Sequence, residues 1–279
     1  MKFSKMHGLG NDFVIVNGLV EKNLGNLEEL ARRVCHRNFG VGADGLIFVL
    51  PSEEADIRMR IFNSDGSEPE MCGNGIRCFA KYVYQEGIVP KEIIRVETLA
   101  GIIVPRLIIE GATISGIQVD MGPPVLEPDK IPMRGFASGP VVDEPLEIDG
   151  QTLSITAVSM GNPHCVVFVP DVGAVAFDTL GPKLETHPAF PRKTNVEFVQ
   201  VSNQEQVKVR VWERGAGPTL ACGTGACAVA VAGALSGRTG RQVTVGLPGG
   251  DLQILWDQQD NRVYMTGPAV EVFRGEFIL

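Results

Sequence analysis

The chain is predicted to be an α+β / α/β protein of two homologous domains, each a curved, mostly antiparallel sheet wrapped around a central helix. Three observations predict this fold class: an internal repeat, a similar order of strand-like and helix-like segments in each half, and one glycine-rich cysteine motif per half. Duplicated sequences should fold alike, so pseudo-twofold symmetry is expected between the domains.

The repeat is clearest around the two cysteine motifs, where Cys72 and Cys222 lie 222 − 72 = 150 positions apart. Three pairs of segments align in the same order: GNDFVIV (10–16) with GNPHCVV (161–167), DGLIFV (44–49) with TNVEFV (194–199), and RIFNSDGSEPEMCGNG (60–75) with RVWERGAGPTLACGTG (210–225). A period this long indicates duplicated domains. We expect the halves at 1–117 and 118–264, with a C-terminal strand at 265–279 packing on the first.

Apolar periodicity predicts the elements of the first half. A strand at 13–16 is followed by a helix that has Asn26 as a plausible N-cap. One face of this helix carries an apolar stripe at i, i+3, i+4 and i+7, formed by Leu27, Leu30, Ala31 and Val34. Strands follow at 46–49 and 57–62, and the second alternates apolar and charged residues as a half-exposed strand does.

A second helix is predicted after each cysteine motif. In the first half its apolar face is Ile76, Phe79, Ala80 and Val83, and Gly87 and Pro90 end it. Its counterpart at 226–235 is apolar on every side, so the surrounding sheet should enclose it. The segment 126–150, rich in Pro, Asp and Gly, is interpreted as a linker.

Composition narrows the classes of protein. Hydrophobic residues make up 44% and charged residues 21%, which is typical of a soluble globular protein. The net charge of −8 argues against nucleic-acid or membrane-surface partners, since both require a basic face. The N-terminus has no apolar run of the signal-peptide type, so we expect a cytoplasmic protein whose six cysteines are reduced.

The motifs Cys72-Gly73-Asn74-Gly75 and Cys222-Gly223-Thr224-Gly225 each place a thiol just before a predicted helix. Backbone N–H groups of a first helical turn lack intrahelical acceptors, and the helix dipole adds partial positive charge, so such a site suits a carboxylate or phosphate. The same field should lower a cysteine pKa from about 8.5 into a range of roughly 3.5–7.5. Each motif therefore predicts an anion cradle beside an acid/base thiol.

Two such motifs would face each other across the cleft between duplicated domains. One thiolate could then remove an α-proton while the other thiol returns a proton to the opposite face of the carbanion. The N–H groups of both helices would stabilise the charge developing on the substrate carboxylate. This arrangement predicts racemisation or epimerisation by two bases.

Several competing interpretations are less favoured. Zinc sites usually show a Cys-x2-4-Cys pair, which this sequence lacks, so no metal is expected. The stretch GVGADG (40–45) matches a dinucleotide fingerprint, but a helix precedes it and a strand follows, the reverse of the order required, so no nucleotide cofactor is expected. The remaining cysteines are interpreted as buried structural residues: Cys35, Cys78, Cys165 and Cys227.

The motifs KMHGLGNDFVIV, CGNG, CGTG, SMGNPH, NVEFV and VWERGAG together resemble the diaminopimelate epimerase family over the whole chain. The resemblance implies a pyridoxal-independent isomerase that interconverts LL- and meso-diaminopimelate in lysine and peptidoglycan-precursor biosynthesis. It implies that Cys72 and Cys222 are the two catalytic residues, that no cofactor is needed, and that the protein is a homodimer.

The resemblance also implies a set of substrate contacts. Backbone donors for the reacting carboxylate would be Gly73, Asn74, Gly223 and Thr224. Contacts to the distal, non-reacting end would be Asn63, Asn162, Asn195 and Arg214. His164 and Glu213 would lie near the reacting amine, and Asn11 would be a further contact. Some relatives carry glutamine where Gly45 aligns, so that contact is either missing here or supplied by Asp44.

Two alternatives remain open. Other cofactor-independent amino-acid racemases and phenazine-biosynthesis isomerases share the expected fold, and proline-racemase-like enzymes also use two cysteines. A different class is a redox-sensing, anion-binding protein in which Cys72 and Cys222 form a reversible disulfide. The second alternative is compatible with the first, because two close, activated thiols oxidise readily. We therefore expect activity to require a reductant.

Overall fold

The structure is a computed structural model that describes residues 1–22, 24–136 and 138–279. In chain order its elements are β1 Lys2–Gly8, β2 Asn11–Asn17, α1 Leu27–Cys35, β3 Gly45–Leu50, β4 Ile57–Asn63, α2 Gly73–Gln85, β5 Val96–Thr98, β6 Gly101–Ile103, β7 Arg106–Glu110, β8 Thr113–Asp120, β9 Glu144–Ile148, β10 Gln151–Ser159, β11 Pro163–Phe168, α3 Phe177–Glu185, β12 Asn195–Asn203, β13 Gln206–Glu213, β14 Gly217–Thr219, α4 Gly223–Leu235, β15 Gln242–Leu247, β16 Gly250–Trp256, β17 Val263–Gly267 and β18 Val270–Glu276.

The elements group into two compact units. Unit 1 comprises Met1–Asp120 and Thr266–Leu279, and unit 2 comprises Met121–Met265. Both units are rich in sheet and contain two helices each, which confirms the predicted α+β class. The predicted boundary between residues 117 and 118 separates two repeats of the sequence, whereas the units are grouped by contacts in space. This boundary therefore stays a prediction.

Unit 1 is built on a sheet of order β18-β1-β2-β3-β4-β5-β6. Most neighbours are antiparallel, but β2 and β3 are parallel because α1 connects them, and β4 and β5 are parallel because α2 connects them. Helix α2 packs on β1, β2, β3 and β4 of this sheet and on β8, and Cys72 caps its N-terminus.

Unit 2 repeats this plan on the strands β17-β16-β15-β13-β12-β11-β10-β9. Here α3 connects the parallel pair β11 and β12, and α4 connects the parallel pair β13 and β15. Helix α4 packs on β10, β11, β12, β15 and β16.

The helices preserve the repeat with constant spacing. Helix α3 starts 177 − 27 = 150 and ends 185 − 35 = 150 positions after α1, and α4 starts 223 − 73 = 150 and ends 235 − 85 = 150 positions after α2. Helix α3 was not predicted. It is the counterpart of α1, so the repeat extends through both helices of each unit.

The predicted helices are confirmed together with their physical causes. The side chain of Asn26 accepts hydrogen bonds from the Glu28 and Glu29 N–H groups, which caps α1 as expected. Residues Gly225–Gly233 of α4 are all buried, so the sheet does enclose this helix. Among the residues that the structure describes, none of the helices is long and apolar enough to span a bilayer.

The predicted linker at 126–150 is wrong. The segment contains β9, which pairs with β10, and its apolar residues belong to the core of unit 2. Those buried side chains are Ile131, Met133, Val141, Leu146 and Ile148. The Pro and Gly residues of this segment favour turns, and its buried apolar residues are spaced between them. The composition therefore resembles that of a loop although the segment is packed in the core.

Candidate active site

Both cysteine motifs form the same helix N-cap. Cys72 caps α2 in extended backbone (φ −138°, ψ 119°), and its Sγ accepts a hydrogen bond from the Gly75 N–H at 3.4 Å. Cys222 caps α4 (φ −125°, ψ 112°), and its Sγ accepts from the Gly225 N–H at 3.4 Å. Sulfur therefore occupies the position that a serine or aspartate oxygen usually takes, at the positive end of each helix.

Around Cys72, unit 1 brings two predicted site residues together. The Cys72 thiol donates toward Asn11 Oδ1, with a distance of 3.8 Å between Sγ and Oδ1. The same oxygen accepts a hydrogen bond from Asn74 Nδ2 at 3.1 Å. Asn11 lies at the start of β2 and Asn74 in the first turn of α2, so strand and helix together position the side chains around Cys72.

Cys222 is more enclosed than Cys72, and its environment opposes ionisation. Burial, followed by the negative charges of Glu213 and Glu197, raises the pKa of the Cys222 thiol from 9.0 to about 12. The Gly225 N–H and Thr224 Oγ1, which lies 3.5 Å from Sγ, act in the opposite direction. The predicted lowering of this pKa by the helix N-terminus is therefore wrong for Cys222, because burial outweighs the helix field.

Near Cys222, unit 2 holds a chain of three polar side chains, of which His164 and Glu197 are buried and Asn162 is partly exposed. His164 Nδ1 lies 2.7 Å from Glu197 Oε1, and its Nε2 lies 2.9 Å from Asn162 Oδ1. His164 and Glu197 are both inaccessible to solvent, and Glu197 Oε2 has no hydrogen-bond partner among the described residues. His164 and Asn162 were predicted site residues, and the structure places them side by side.

Glu213 ends β13 one residue before the exposed Arg214. Burial, with a smaller contribution from the charge of Glu197, raises the pKa of the Glu213 carboxyl. A carboxylate that is partly desolvated and lies near other acidic groups is well suited to bind an ammonium group, because the cation relieves the repulsion.

Asn195 organises the backbone around these residues. Its Nδ2 donates to the Pro163 carbonyl at 2.9 Å, and its Oδ1 accepts from the Arg214 N–H at 2.9 Å. The amide thus ties the start of β11 to the residue after β13. The guanidinium of Arg214 reaches the Arg192 carbonyl at 3.2 Å and remains exposed.

Asn63 lies at the exposed end of β4, where its Nδ2 donates to Ser67 Oγ at 2.9 Å. In the neighbouring strand Gly45 is tightly packed: a Cβ atom there would lie 2.9 Å from the Phe62 carbonyl oxygen and 3.2 Å from the Phe13 ring. A side chain at position 45 would therefore meet backbone and ring atoms, and Asp44 binds Asn11 and Arg37.

The other cysteines are structural, as predicted. Cys35, Cys78, Cys165 and Cys227 are buried, and burial raises the pKa of the Cys78 thiol to about 12 and that of Cys165 further. Residues 40–43 form a loop between α1 and β3, which confirms the reading of GVGADG as a turn.

Two residues of the site were missed by the sequence reasoning. Glu197 is a charged residue in the apolar strand segment NVEFV, and this contrast was an available signal. Arg77 is completely buried within α2, and its guanidinium donates to Asn74 Oδ1 at 2.8 Å. A lone arginine on a predicted helix gave no indication of burial.

The chain matches known proteins over its full length. The family profile described as diaminopimelate epimerase matches residues 3–127 and 156–272. A protein of Moorella thermoacetica named diaminopimelate epimerase is 67% identical, with 100% of both chains covered. One of the same name from Heliobacterium modesticaldum is 60% identical, again with 100% of both chains covered.

Among solved structures, the phenazine biosynthesis protein of the PhzF family from Bacillus anthracis superposes with a TM-score of 0.73. The sequences are 18% identical, and the comparison covers 100% of this chain and 99% of the other. At this identity the similarity concerns the fold alone.

Proposed function

Because the chain belongs to the diaminopimelate epimerase family, we propose that it interconverts LL- and meso-diaminopimelate by moving the proton at one α-carbon, without pyridoxal phosphate. The chain is an isomerase. Cys72 and Cys222 are the two acid/base groups of the reaction. The observation that carries this proposal is the matched pair of cysteine N-caps, each with Sγ 3.4 Å from the N–H of a glycine three residues on.

The proton balance requires one thiolate and one thiol in each cycle. The thiolate takes the α-proton and becomes a thiol, the electron pair stays on the α-carbon and its carboxylate, and the other thiol donates its proton to the opposite face and becomes a thiolate. The raised pKa makes the neutral thiol the resting form of Cys222. Each turnover exchanges the protonation states of the two sulfurs, so the sulfur that donates in one direction is the base in the other.

The remaining site residues recognise the two ends of a dicarboxylate diamine. The N–H groups at Gly73, Asn74, Gly223 and Thr224, in the first turns of α2 and α4, bind the reacting carboxylate and stabilise its growing charge. Glu213 and His164 lie near the reacting amine. Arg214 binds the distal carboxylate with help from Asn63, Asn162 and Asn195, and Asn11 contacts the substrate beside Cys72.

We further propose a cytoplasmic homodimer that serves lysine and peptidoglycan-precursor synthesis. The basis is the family, together with a net charge of −8 that disfavours nucleic acid and membrane surfaces as partners. Light scattering coupled to gel filtration measures the assembly. A mass near the monomer's 30.0 kDa at micromolar concentration would contradict the dimer.

The test is NMR of LL-diaminopimelate in D2O with freshly reduced protein and no pyridoxal phosphate. We expect the meso isomer with deuterium at one α-carbon, and loss of this product in Cys72→Ala and in Cys222→Ala. The matched controls are Cys78→Ala and Cys227→Ala. Each removes the buried cysteine inside α2 or α4 and should retain activity.

If the reduced wild type exchanges no α-proton of diaminopimelate, the substrate assignment is wrong. Exchange into another amino acid under the same conditions would assign the protein to a different racemase of this fold. A protein that shows no exchange but forms a reversible Cys72–Cys222 disulfide would support the redox-sensing alternative.

A further inference from the structure

Four side chains of unit 1 form one continuous chain of hydrogen bonds. The Arg77 guanidinium donates to Asn74 Oδ1 at 2.8 Å. Asn74 Nδ2 donates to Asn11 Oδ1 at 3.1 Å, and Asn11 Nδ2 donates to Asp44 Oδ2 at 2.7 Å. The chain thus has a cation at one end, an anion at the other, and two amides between them.

The two ends fix the direction of both amides. A guanidinium can only donate, so the oxygen of Asn74 must face Arg77 and its NH2 must face away. An ionised carboxylate can only accept, so the NH2 of Asn11 must face Asp44. The bond between the two asparagines then has one possible sense. Either reversed amide would set donor against donor or acceptor against acceptor.

Asp44 is itself held in place. It accepts a second hydrogen bond from the Asp12 N–H at 3.0 Å, and Arg37 lies 2.7 Å from its other oxygen. At the opposite end Arg77 is fully buried and also donates to the Pro268 and Gly73 carbonyls. Both anchors are therefore fixed by groups outside the amide chain.

The direction matters for Cys72, because it is Asn11 Oδ1, the oxygen and not the NH2, that lies 3.8 Å from Sγ. We propose that Asp44 and Arg77 are positioning residues that lock the Asn11 and Asn74 side chains in one orientation and so keep an acceptor beside the Cys72 thiol. The kinetic consequence rests on the proposed function, whereas the orientation itself does not.

The first arm of the test measures kcat/KM in variants of the solvent-accessible anchor. Asp44→Ala removes the acceptor for Asn11, and we expect a loss of about tenfold, the usual cost of a hydrogen bond to a charged group. Asp44→Asn still offers an oxygen to Asn11, and Arg77 still sets the direction, so activity should return to within about threefold of wild type. Lys91→Gln, the control, removes an exposed ion pair with Asp56 in the same unit and outside this chain of hydrogen bonds, and it should stay within about twofold of wild type.

A double-mutant cycle tests the route of the effect. Asp44→Ala should cost less than about twofold when added to Asn11→Ala, because Asn11 is the group through which Asp44 acts. A full loss in that background would overturn the proposal. An Asp44→Asn variant as impaired as Asp44→Ala would overturn it as well, since it would show that the charge matters and the orientation does not.

The second arm needs no activity. In protein labelled with 15N-asparagine, the side-chain NH2 signal of Asn11 is identified by its absence from Asn11→Ala. We expect this signal to move in Asp44→Ala, where its charged acceptor is lost, and to stay in place in Lys91→Gln. If the signal moves but neither the wild type nor any variant epimerises diaminopimelate, the proposed function fails and the positioning role stands. If activity is present but Asp44→Ala leaves the signal unchanged, the positioning role fails alone.

Discussion

Glu197 Oε1 lies 2.7 Å from His164 Nδ1, and neither side chain is accessible to solvent. The second oxygen of Glu197 has no hydrogen-bond partner among the residues described. The negative charge of Glu197 is also one of the causes that raise the pKa of the Cys222 thiol. This buried carboxylate therefore links His164 to the protonation of the Cys222 thiol.

Glu197→Gln should lower the pKa of Cys222, because it removes a negative charge while it keeps a similar shape. We expect the pH at which Cys222 becomes half-maximally reactive toward iodoacetamide to fall, measured by mass spectrometry of the alkylated peptide. Glu185→Gln serves as control, because this carboxylate is not among the main causes of the Cys222 shift. An unchanged or higher midpoint in Glu197→Gln would contradict the electrostatic link.

Serine substitutions should separate the capping role of the two cysteines from their chemistry. Cys72→Ser and Cys222→Ser keep an acceptor at the N-cap, so their free energies of unfolding should stay above those of the alanine variants by about 1 kcal/mol, measured in urea. Neither serine can replace a thiolate as base at neutral pH, so deuterium exchange should be lost in all four variants. Appreciable exchange in a serine variant would argue against a thiolate base.

The buried thiols should make the fold sensitive to alkali. Burial raises the pKa of Cys35, Cys78 and Cys222 from 9.0 to about 12, and that of the Tyr82 hydroxyl from 10.0 to about 12. A pKa that is higher in the folded than in the unfolded state contributes stability fully present below the unfolded value and lost as the pH rises through the folded value. We expect Tm to be level to about pH 9 and then to fall as the pH approaches 12.

The steepness with which Tm falls above pH 9 tests whether ionisation of a buried thiol contributes to the fall. Cys35→Ala removes one titrating group outside the active site, and its Tm should decline less steeply above pH 9 than that of the wild type. Parallel profiles for the two proteins would show that ionisation of this thiol does not contribute.

Oxidation should inactivate the protein reversibly. The proposed mechanism requires Cys72 and Cys222 to act on opposite faces of one carbon, so diamide treatment should join them in a disulfide and abolish epimerisation. Dithiothreitol should restore activity, and peptide mapping identifies the bond. Full activity after oxidation and removal of reductant would count against the two-thiol mechanism.

The sequence predicted the features that depend on local pattern. The capped helix α1, the apolar face of α2 and the enclosed helix α4 follow from residue periodicity and from one asparagine. Helix α3 escaped because its local signals are poor: it contains Gly181 and Pro182, and its N-cap residue, Ala176, makes no side-chain cap. Tertiary packing accounts for the glycine at position 181, since a Cβ atom there would lie 2.6 Å from the Trp212 ring.

Electrostatic features were less accessible from the sequence. The two N-capping cysteines followed from the repeated CGNG and CGTG motifs, but the direction of the Cys222 pKa did not, because burial and the charges of Glu213 and Glu197 arise only in the folded chain. The same reason applies to Arg77 and Asp44, which are distant in sequence and connected through two asparagines.

The constant 150-residue spacing of the helices has a consequence for how the chain can change in length. The stretch from α1 to its cysteine and the stretch from α3 to its cysteine are equally long, whereas β5 begins 96 − 85 = 11 positions after α2 and β15 only 242 − 235 = 7 after α4. In each unit the segment between the first helix and the N-capping cysteine thus has the same length, whereas the segment after the second helix differs in length. Insertions and deletions should be tolerated downstream of each helix and rejected upstream of each thiol.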